Sequence, residues 1–197
     1  MKTLTVATTL ILVAMGAAGA DECRDRLVRY LEGALDGRPG QSLNTVQQGA
    51  STTESAFIFV SRDHHMFKPV NPENIPWVLT YQGAMYQSAD QVRTWTKVHS
   101  FDRDKQHAEA REAIRSQARS ATGVVCGTET LDGVVHDTFD ARMTMEGAVR
   151  VEMHNRYWIS RESGISTQAV SISRFSGVEM TTTQRWRPLG DMTLPVP

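Results

Sequence analysis

The chain has 197 residues, and its 21 lysines and arginines nearly balance its 22 aspartates and glutamates, which leaves a net charge of −1. A balance this close gives no argument for a nucleic-acid partner or for strong attraction to a membrane surface. The length suits one domain that can bury a sizeable core.

The first twenty residues have the features of a secretory signal peptide. Lys2 gives a short positive start, residues 4–13 are mostly apolar, and residues 18–20 (Ala-Gly-Ala) match the small residues that precede a cleavage site. Cleavage there leaves residues 21–197 as a single exported domain. The alternative is an uncleaved anchor, but the apolar run is short for a membrane span and no later segment resembles one. We therefore expect no integral membrane segment after cleavage.

The only two cysteines are Cys23 and Cys126. An exported chain with two cysteines most often closes one disulfide, so we predict this pair. The bond would close a loop of about 100 residues, and chain-entropy arithmetic gives a stabilisation of about 4 to 5 kcal/mol. The alternative is two separate buried thiols, since free cysteine is often a core residue.

A helix is predicted over residues 22–36. Leu27, Leu31 and Leu35 recur at the spacing i, i+4, i+8 and form an apolar stripe that should pack on something larger. Asp21 is the predicted N-cap, and Gly37 marks the end of the helix.

After this helix the sequence predicts loops, turns and strands. Residues 39–53 are predicted to be a loop, and Gln82 with Gly83 is predicted to form a turn. Aromatic and β-branched residues with period-two alternation favour strands. Such stretches in this part of the chain are residues 56–61, 75–81, 84–87 and 92–101.

A second helix is predicted over residues 102–120, where charged residues alternate with alanines. Asp102 or Asp104 lies near its start, and Gly123 is the predicted end. Ile114 is its one large apolar side chain, so we expect a surface helix. It either covers a groove or connects two hairpins.

The second half of the chain is a run of strands. Residues 160–164 form a predicted hairpin loop, and strands over residues 165–175 and 178–187 follow, joined through Ser176 and Gly177. The strands before that loop have one apolar face, and the other face carries Arg150, Glu152, His154, Arg156 and Trp158. With seven to nine antiparallel strands and two helices, we predict an α+β fold, with one large curved sheet and helices on one face.

No motif with a catalytic mechanism stands out. The sequence has neither a G-x-S-x-G nor an H-E-x-x-H pattern, so we predict that the protein is not an enzyme, and we predict no cofactor. The best metal candidates are His64, His65 and Met66. Adjacent side chains of a strand point to opposite faces, so we favour packing roles for them over a metal site.

The apolar face of the second-half strands is the candidate ligand-binding site. A curved sheet face rich in methionine and aromatic residues could hold an acyl chain or an apolar peptide segment. The alternative is a filled core beneath the two helices. A protein-interaction module of a cell-envelope complex is the other function considered, because of Trp158 (expected to be exposed) and the outward arginines. The candidate ligand-binding residues are Phe139, Met143, Met145, Val151, Met153 and Tyr157.

Three short segments carry a resemblance to a known family. They are residues 126–134 (CGTETLDGV), residues 157–165 (YWISRESGI) and residues 191–195 (DMTLP). Together with the export signal, the amphipathic helix and the polar helix, they make the chain similar to uncharacterised bacterial periplasmic proteins that resemble the LolA-like lipoprotein-carrier superfamily. The resemblance implies a periplasmic half-barrel, with helices over a concave apolar face, that binds a lipid or another apolar ligand. It assigns no cavity residue.

Overall fold

The computed structural model describes residues 17–34 and 37–197, which contain two helices and eleven strands. Most of the predicted signal peptide, residues 1–16, and Leu35 of the predicted apolar stripe lie outside the described residues. The helices are α1 (Ala17–Ala34) and α2 (Arg103–Arg119). The strands are β1 (Gly40–Gln48), β2 (Ser51–Ser61), β3 (His64–Asn71), β4 (Trp77–Tyr81), β5 (Ala84–Ser88), β6 (Thr96–Ser100), β7 (Thr122–Leu131), β8 (Val134–Met145), β9 (Val151–Ser160), β10 (Ser166–Phe175) and β11 (Val178–Pro188).

All the described strands belong to one antiparallel sheet, in the order β6-β5-β4-β3-β2-β1-β11-β10-β9-β8-β7. Neighbours in the sheet are neighbours in sequence, except at the centre, where β1 pairs with β11 and Leu43 lies opposite Arg185. Because β6 and β7 are opposite edges, the sheet is open and curved like half a barrel, and α2 connects the two edges. The predicted α+β class and antiparallel half-barrel are confirmed.

The two faces of the sheet can be told apart from the strand register, because directly opposite residues of an antiparallel pair share a face. We call one face the helix face, since Tyr30 of α1 lies against Tyr157 there. A row on the helix face runs through Tyr157, Ala169, Gln184, Asn44 and Ser55. The matching row on the opposite face, the outer face, runs through Trp158, Gln168, Arg185, Leu43 and Ala56.

A first buried cluster lies between α1 and the helix face of β7, β8 and β9. Leu27 of α1 is completely buried there, and full burial of one such side chain contributes about 2 kcal/mol. The predicted disulfide between Cys23 and Cys126 is confirmed and joins α1 to β7. The buried members of the cluster are Cys23, Leu27, Ala121, Phe139, Ala141, Met143 and Ile159.

A second buried cluster lies on the outer face of β2, β3 and β4. Ile58, Met66 and Leu79 occupy directly opposite positions there, and Leu194 from the segment after β11 packs on them. His64 holds the same segment, with its Nε2 atom 3.0 Å from the carbonyl oxygen of Pro195. The sequence patterns predicted neither this cluster nor its cover.

Helix α1 begins before its predicted start. It runs from Ala17, so Asp21 lies inside the helix and does not cap it. The helix therefore crosses the predicted cleavage position without a break. Its described end at Ala34 is followed by Gly37, whose φ of +39° is a backbone conformation that glycine adopts readily.

Helix α2 is the surface helix that the sequence predicts, and Ala118 is its buried residue. Asp102 is the N-cap, with its side chain accepting a hydrogen bond from the backbone N–H of Lys105. The helix ends at Arg119 with Ser120 as its C-cap, so the prediction that Gly123 ends it is wrong, and Gly123 lies in β7. Two α2 residues and its C-cap show that the helix runs from the β2–β3 turn to β8. Arg103 and His107 lie 3.4 and 3.8 Å from the carboxylate of Asp63, and the hydroxyl of Ser120 accepts from the Thr144 backbone N–H.

The strand predictions are wrong in three places. Residues 39–53 are not a loop, because β1 pairs on one side with β2 and on the other with β11. Residues 64–71 form a strand, β3, that the pattern did not predict. The strand predicted over residues 92–101 begins only at Thr96, because Asp90 accepts hydrogen bonds that hold the preceding residues in a turn. Tertiary pairing overrides weak strand propensity in the first two cases.

Candidate ligand-binding face

The structure brings four of the six predicted ligand-binding residues together beneath α1. Phe139 and Met143 are 4% and 2% exposed, and Met153 and Tyr157 pack against them, half-buried. The other two, Met145 and Val151, lie directly opposite each other at the far end of the β8–β9 pair. Met145 is 49% exposed there. The side chains beneath α1 are packed against one another, and a ligand-binding role for the six stays a prediction.

Two side-chain amides donate hydrogen bonds to methionine sulfurs of this face. Nδ2 of Asn155, the polar residue that interrupts the apolar face of β9, donates to Sδ of Met143 at 3.3 Å. Nε2 of Gln117 on α2 donates to Sδ of Met153 at 3.7 Å. Thioether sulfur is a weak acceptor, so these contacts satisfy polar groups at the boundary between core and helix.

Two tyrosines form the border of this cluster toward the centre of the sheet. The Tyr30 ring stacks on Phe139 with centroids 6.5 Å apart, and lies 6.0 Å from the Tyr157 ring. Burial raises the pKa of Tyr30, and hydrogen bonds with Ser166 oppose the rise only in part. Burial also raises the pKa of Tyr157, with a smaller contribution from Tyr30. Both hydroxyls therefore stay neutral, and this border is apolar with two polar tips.

A second aromatic group, which the sequence patterns did not predict, lies on the helix face away from α1. Ring centroids of Phe57 and Phe59 are 6.4 Å apart, and the His65 ring lies 5.3 Å from Phe57 and 6.3 Å from Phe59. Phe67 is directly opposite Phe57 and is 37% exposed. Trp186 of β11 lies on the same face. We call Phe57, Phe59, His65, Phe67 and Trp186 the aromatic patch.

Two glycines let the chain pass close to the aromatic patch between α1 and β1. A Cβ atom at Gly37 would collide with the ring of Phe59, and one at Gly40 would collide with the indole of Trp186. The patch is therefore held against the segment that leaves α1. Burial lowers the pKa of His65, so its imidazole is neutral within this apolar setting.

The helix face between the first cluster and the aromatic patch is lined by small and polar residues. These positions belong to β10, β11 and β1, which separate β9 from β2 in the sheet. The helix face thus has two apolar regions with a polar strip between them. The residues of the strip are Ala169, Ser171, Thr182, Gln184, Ser42 and Asn44.

The outer face of β7, β8 and β9 is charged, as its alternation predicts. Glu129 pairs with Arg156 and accepts a hydrogen bond from the indole Nε1 of Trp158 at 2.8 Å. His154 Nε2 lies 2.6 Å from Asp140 Oδ1. The expectation that Trp158 is exposed is wrong, because the guanidinium of Arg156 lies over its ring, 5.0 Å from the centroid.

The histidines of β3 and β8 pack or hydrogen-bond within the protein. His64 lies on the outer face and His65 on the helix face, so the two point apart as a strand requires. His136 is 2% exposed, with its Nδ1 donating to the Val134 carbonyl and its Nε2 lying 2.7 Å from the Thr167 hydroxyl. Within residues 17–34 and 37–197, no three histidine, cysteine or acidic side chains come together as a metal site would need.

No helix in the part of the chain that the structure describes has both the length and the apolar character of a membrane span.

No family model and no curated protein matches this chain. Among solved structures, it is similar to a chain of the MucA/MucB complex of Pseudomonas aeruginosa, with 12% identity and a TM-score of 0.48. That match covers 85% of this chain and 56% of the other, so the chain spans little more than half of that relative's length.

Two further solved structures are similar at lower TM-scores. One is a LolA superfamily protein from Nitrosomonas europaea, with 8% identity, a TM-score of 0.35, and coverage of 86% of this chain and 94% of that one. The other is an outer membrane lipoprotein-sorting protein domain from Vibrio parahaemolyticus, with 10% identity, a TM-score of 0.34, and coverage of 88% and 95%. The description of the first of these names the LolA superfamily, which the sequence resembles.

Proposed function

We propose that residues 21–197 act as a non-catalytic periplasmic binding protein that holds a lipid or another ligand with an acyl chain on the helix face. The observation that carries the proposal is the aromatic patch. Its members Phe57, Phe59 and Trp186 are half-buried and belong to neither of the two buried clusters. Large aromatic side chains that keep part of their surface uncovered are typical of ligand sites.

The disulfide supports the location. Disulfides persist in oxidising compartments such as the bacterial periplasm and are rare in the cytoplasm. Cys23 and Cys126 are bonded, and within the described residues no cysteine is free. Together with the signal-like residues 1–20, this favours an exported protein.

The arrangement of the helix face supports an amphipathic ligand. Ligand sites are mostly apolar, with a few polar groups that fix orientation. Here the aromatic patch offers the apolar contact, and the half-buried Asn44 and the exposed Gln184 of the neighbouring strip offer amide groups. In this pose the acyl chain lies on the patch and the polar head lies on the strip. The half-buried Met153 and Tyr157, across the strip, would contact a longer ligand, and methionine adapts well to varied shapes.

A matched pair of variants tests the site. Phe57 lies on the helix face of β2, and Leu43, 40% exposed, lies on the outer face of the adjacent strand β1. We expect Phe57→Asp to weaken binding of a dansyl-labelled undecanoic acid by about tenfold or more, because it places a charge in the apolar contact. Leu43→Asp should leave the affinity unchanged. Equal affinities of the two folded variants and the parent would refute the site.

Native mass spectrometry tests the function without choosing a ligand. Protein purified from periplasm without detergent should carry a mass excess of several hundred daltons, about the mass of one lipid. Organic solvent should remove this excess. The Phe57→Asp protein should carry less of it. A bare polypeptide mass for the parent protein would count against a resident lipid and favour a protein-interaction module of the cell envelope.

A further inference from the structure

The two edges of the sheet are protected to different degrees. Edge strands expose unpaired backbone groups, and proteins usually blunt them with short length, lysine or proline. β6 has five residues with Lys97 among them. β7 has ten residues, contains neither lysine nor proline, and pairs regularly with β8 from Val125 to Leu131. Within the described chain, the stretch from Val125 to Leu131 is therefore a long edge that neither lysine nor proline protects.

A depression of about 310 Å³ lies on the outer face of this same edge. Gly127, which has no side chain, lines it together with Thr138, which lies directly opposite on β8. A Cβ atom at Gly127 would lie 2.8 Å from Oγ1 of Thr138. Val125 forms one wall and is 59% exposed. A strand added beside β7 would place one side chain over Gly127, because alternate residues of a strand point to the same face.

The charged residues that line the depression are two carboxylates and one guanidinium. Glu129 and Asp140 both line it, with side chains that are 43% and 37% exposed. Arg156 is the one lysine or arginine among the described lining residues, and it already pairs with Glu129. A basic side chain over Gly127 would meet two carboxylates, whereas an acidic one would be repelled.

We propose that β7 accepts an extended segment of a partner polypeptide as a twelfth strand, with a lysine or arginine of that segment over Gly127. The backbone groups of Val125 to Leu131 supply the hydrogen bonds, and the depression selects the side chain. Threonine and valine suit the neighbouring positions, since they fit a pleated surface beside Val125 and Thr128. This surface lies on the opposite side of the sheet from the proposed ligand site, so each proposal can fail without the other.

Fluorescence anisotropy with two labelled peptides tests the proposal. One peptide has nine residues of alternating threonine and valine with a central lysine, and the other has glutamate in place of that lysine. We expect the lysine peptide to bind about tenfold more tightly. Its binding should slow amide hydrogen exchange at residues 125–131. Equal affinities, or no binding of the lysine peptide, would overturn the proposal.

Variants with a matched control separate charge from shape. Glu129 and Glu179 are both exposed glutamates paired with an arginine on the outer face, and Glu179 lies far from β7. We expect Glu129→Gln to remove most of the preference for lysine and Glu179→Gln to keep it. Gly127→Val adds a side chain on the outer face, and the Thr138 hydroxyl has to rotate to make room for it. This variant should abolish binding of the lysine peptide while thermal unfolding stays cooperative. If the free protein self-associates and Gly127→Val makes it monomeric, the occupant is a second copy and the proposal is wrong.

Discussion

Cys23 and Cys126 join helix α1 to an edge strand across 103 positions of sequence, with their Cα atoms 5.8 Å apart. The bond fixes α1 over the helix face at the place where Phe139 and Met143 are buried. The ion pair of Arg26 with Asp137 of β8 holds the same helix from a second side.

The first prediction concerns this bond. Replacing both cysteines with serine should lower the free energy of unfolding by about 4 kcal/mol, because the unfolded chain regains the freedom of a loop of roughly 100 residues. Urea denaturation of the parent and the double variant measures the difference. The parent under reducing conditions is the natural control. A loss below about 1 kcal/mol would contradict the prediction.

The second prediction concerns the contact of α1 with the sheet. Leu27 is completely buried, so Leu27→Ala should destabilise the protein by about 2 to 5 kcal/mol. Leu43→Ala is the control, because Leu43 is 40% exposed and should change stability by about 0.5 kcal/mol or less. Similar losses for the two variants in urea denaturation would contradict the burial of Leu27 between α1 and the sheet.

The third prediction uses two glycines with opposite surroundings. Gly33 lies in helix α1 with open space around it, so Gly33→Ala should stabilise the protein by about 0.5 to 1 kcal/mol. Gly40 lies under the indole of Trp186, so Gly40→Ala should destabilise it and shift its tryptophan fluorescence. Thermal unfolding with fluorescence detection measures both effects. Stabilisation by Gly40→Ala would contradict the close approach of Trp186.

The fourth prediction concerns acid. Hydrogen bonds from the side chain and backbone N–H of Thr94 and from the side chain of Ser88 lower the pKa of Asp90 from 3.8 to about 2. A depressed carboxylate pKa stabilises the folded state above the unfolded pKa, and this contribution is lost as the pH falls through the folded value. The turn at residues 88–94 should therefore loosen between about pH 4 and pH 2. A carboxyl NMR titration should give about 2 for Asp90, and a value near 3.8 would contradict the hydrogen bonds.

The sequence predicted the parts of the fold where local signals are strong. Asp102 marks the start of α2, the alternation around Tyr157 marks the faces of β9, and the two cysteines pair. β1 escaped prediction because Ser42, Asn44 and their neighbours have little strand propensity, and hydrogen bonding from strands on both sides makes them a strand.

Because β1 was not predicted, part of the candidate site was not predicted either. Phe57 of β2 and Trp186 of β11 both belong to the aromatic patch. They lie in one region because β1, the strand that the sequence did not predict, pairs with both β2 and β11. No local pattern reports that neighbourhood, since the two residues are far apart in sequence. The cover of Ile58 by Leu194 was missed for the same reason.

The pairing of β1 with β11 also determines when the sheet can be finished. β1 to β6 and β7 to β11 are each made of strands that pair with their sequence neighbours. The two groups meet in the sheet only through the β1–β11 pair, from Gly40 opposite Pro188 to Gln47 opposite Thr181. Such a distant contact carries a large loop-closure cost, so we expect it to form late and slowly. Until then each half exposes the edge of β1 or β11, and the half-formed chain is open to wrong pairings. Until β1 pairs with β11, the folding chain is thus most in need of protection from wrong pairings.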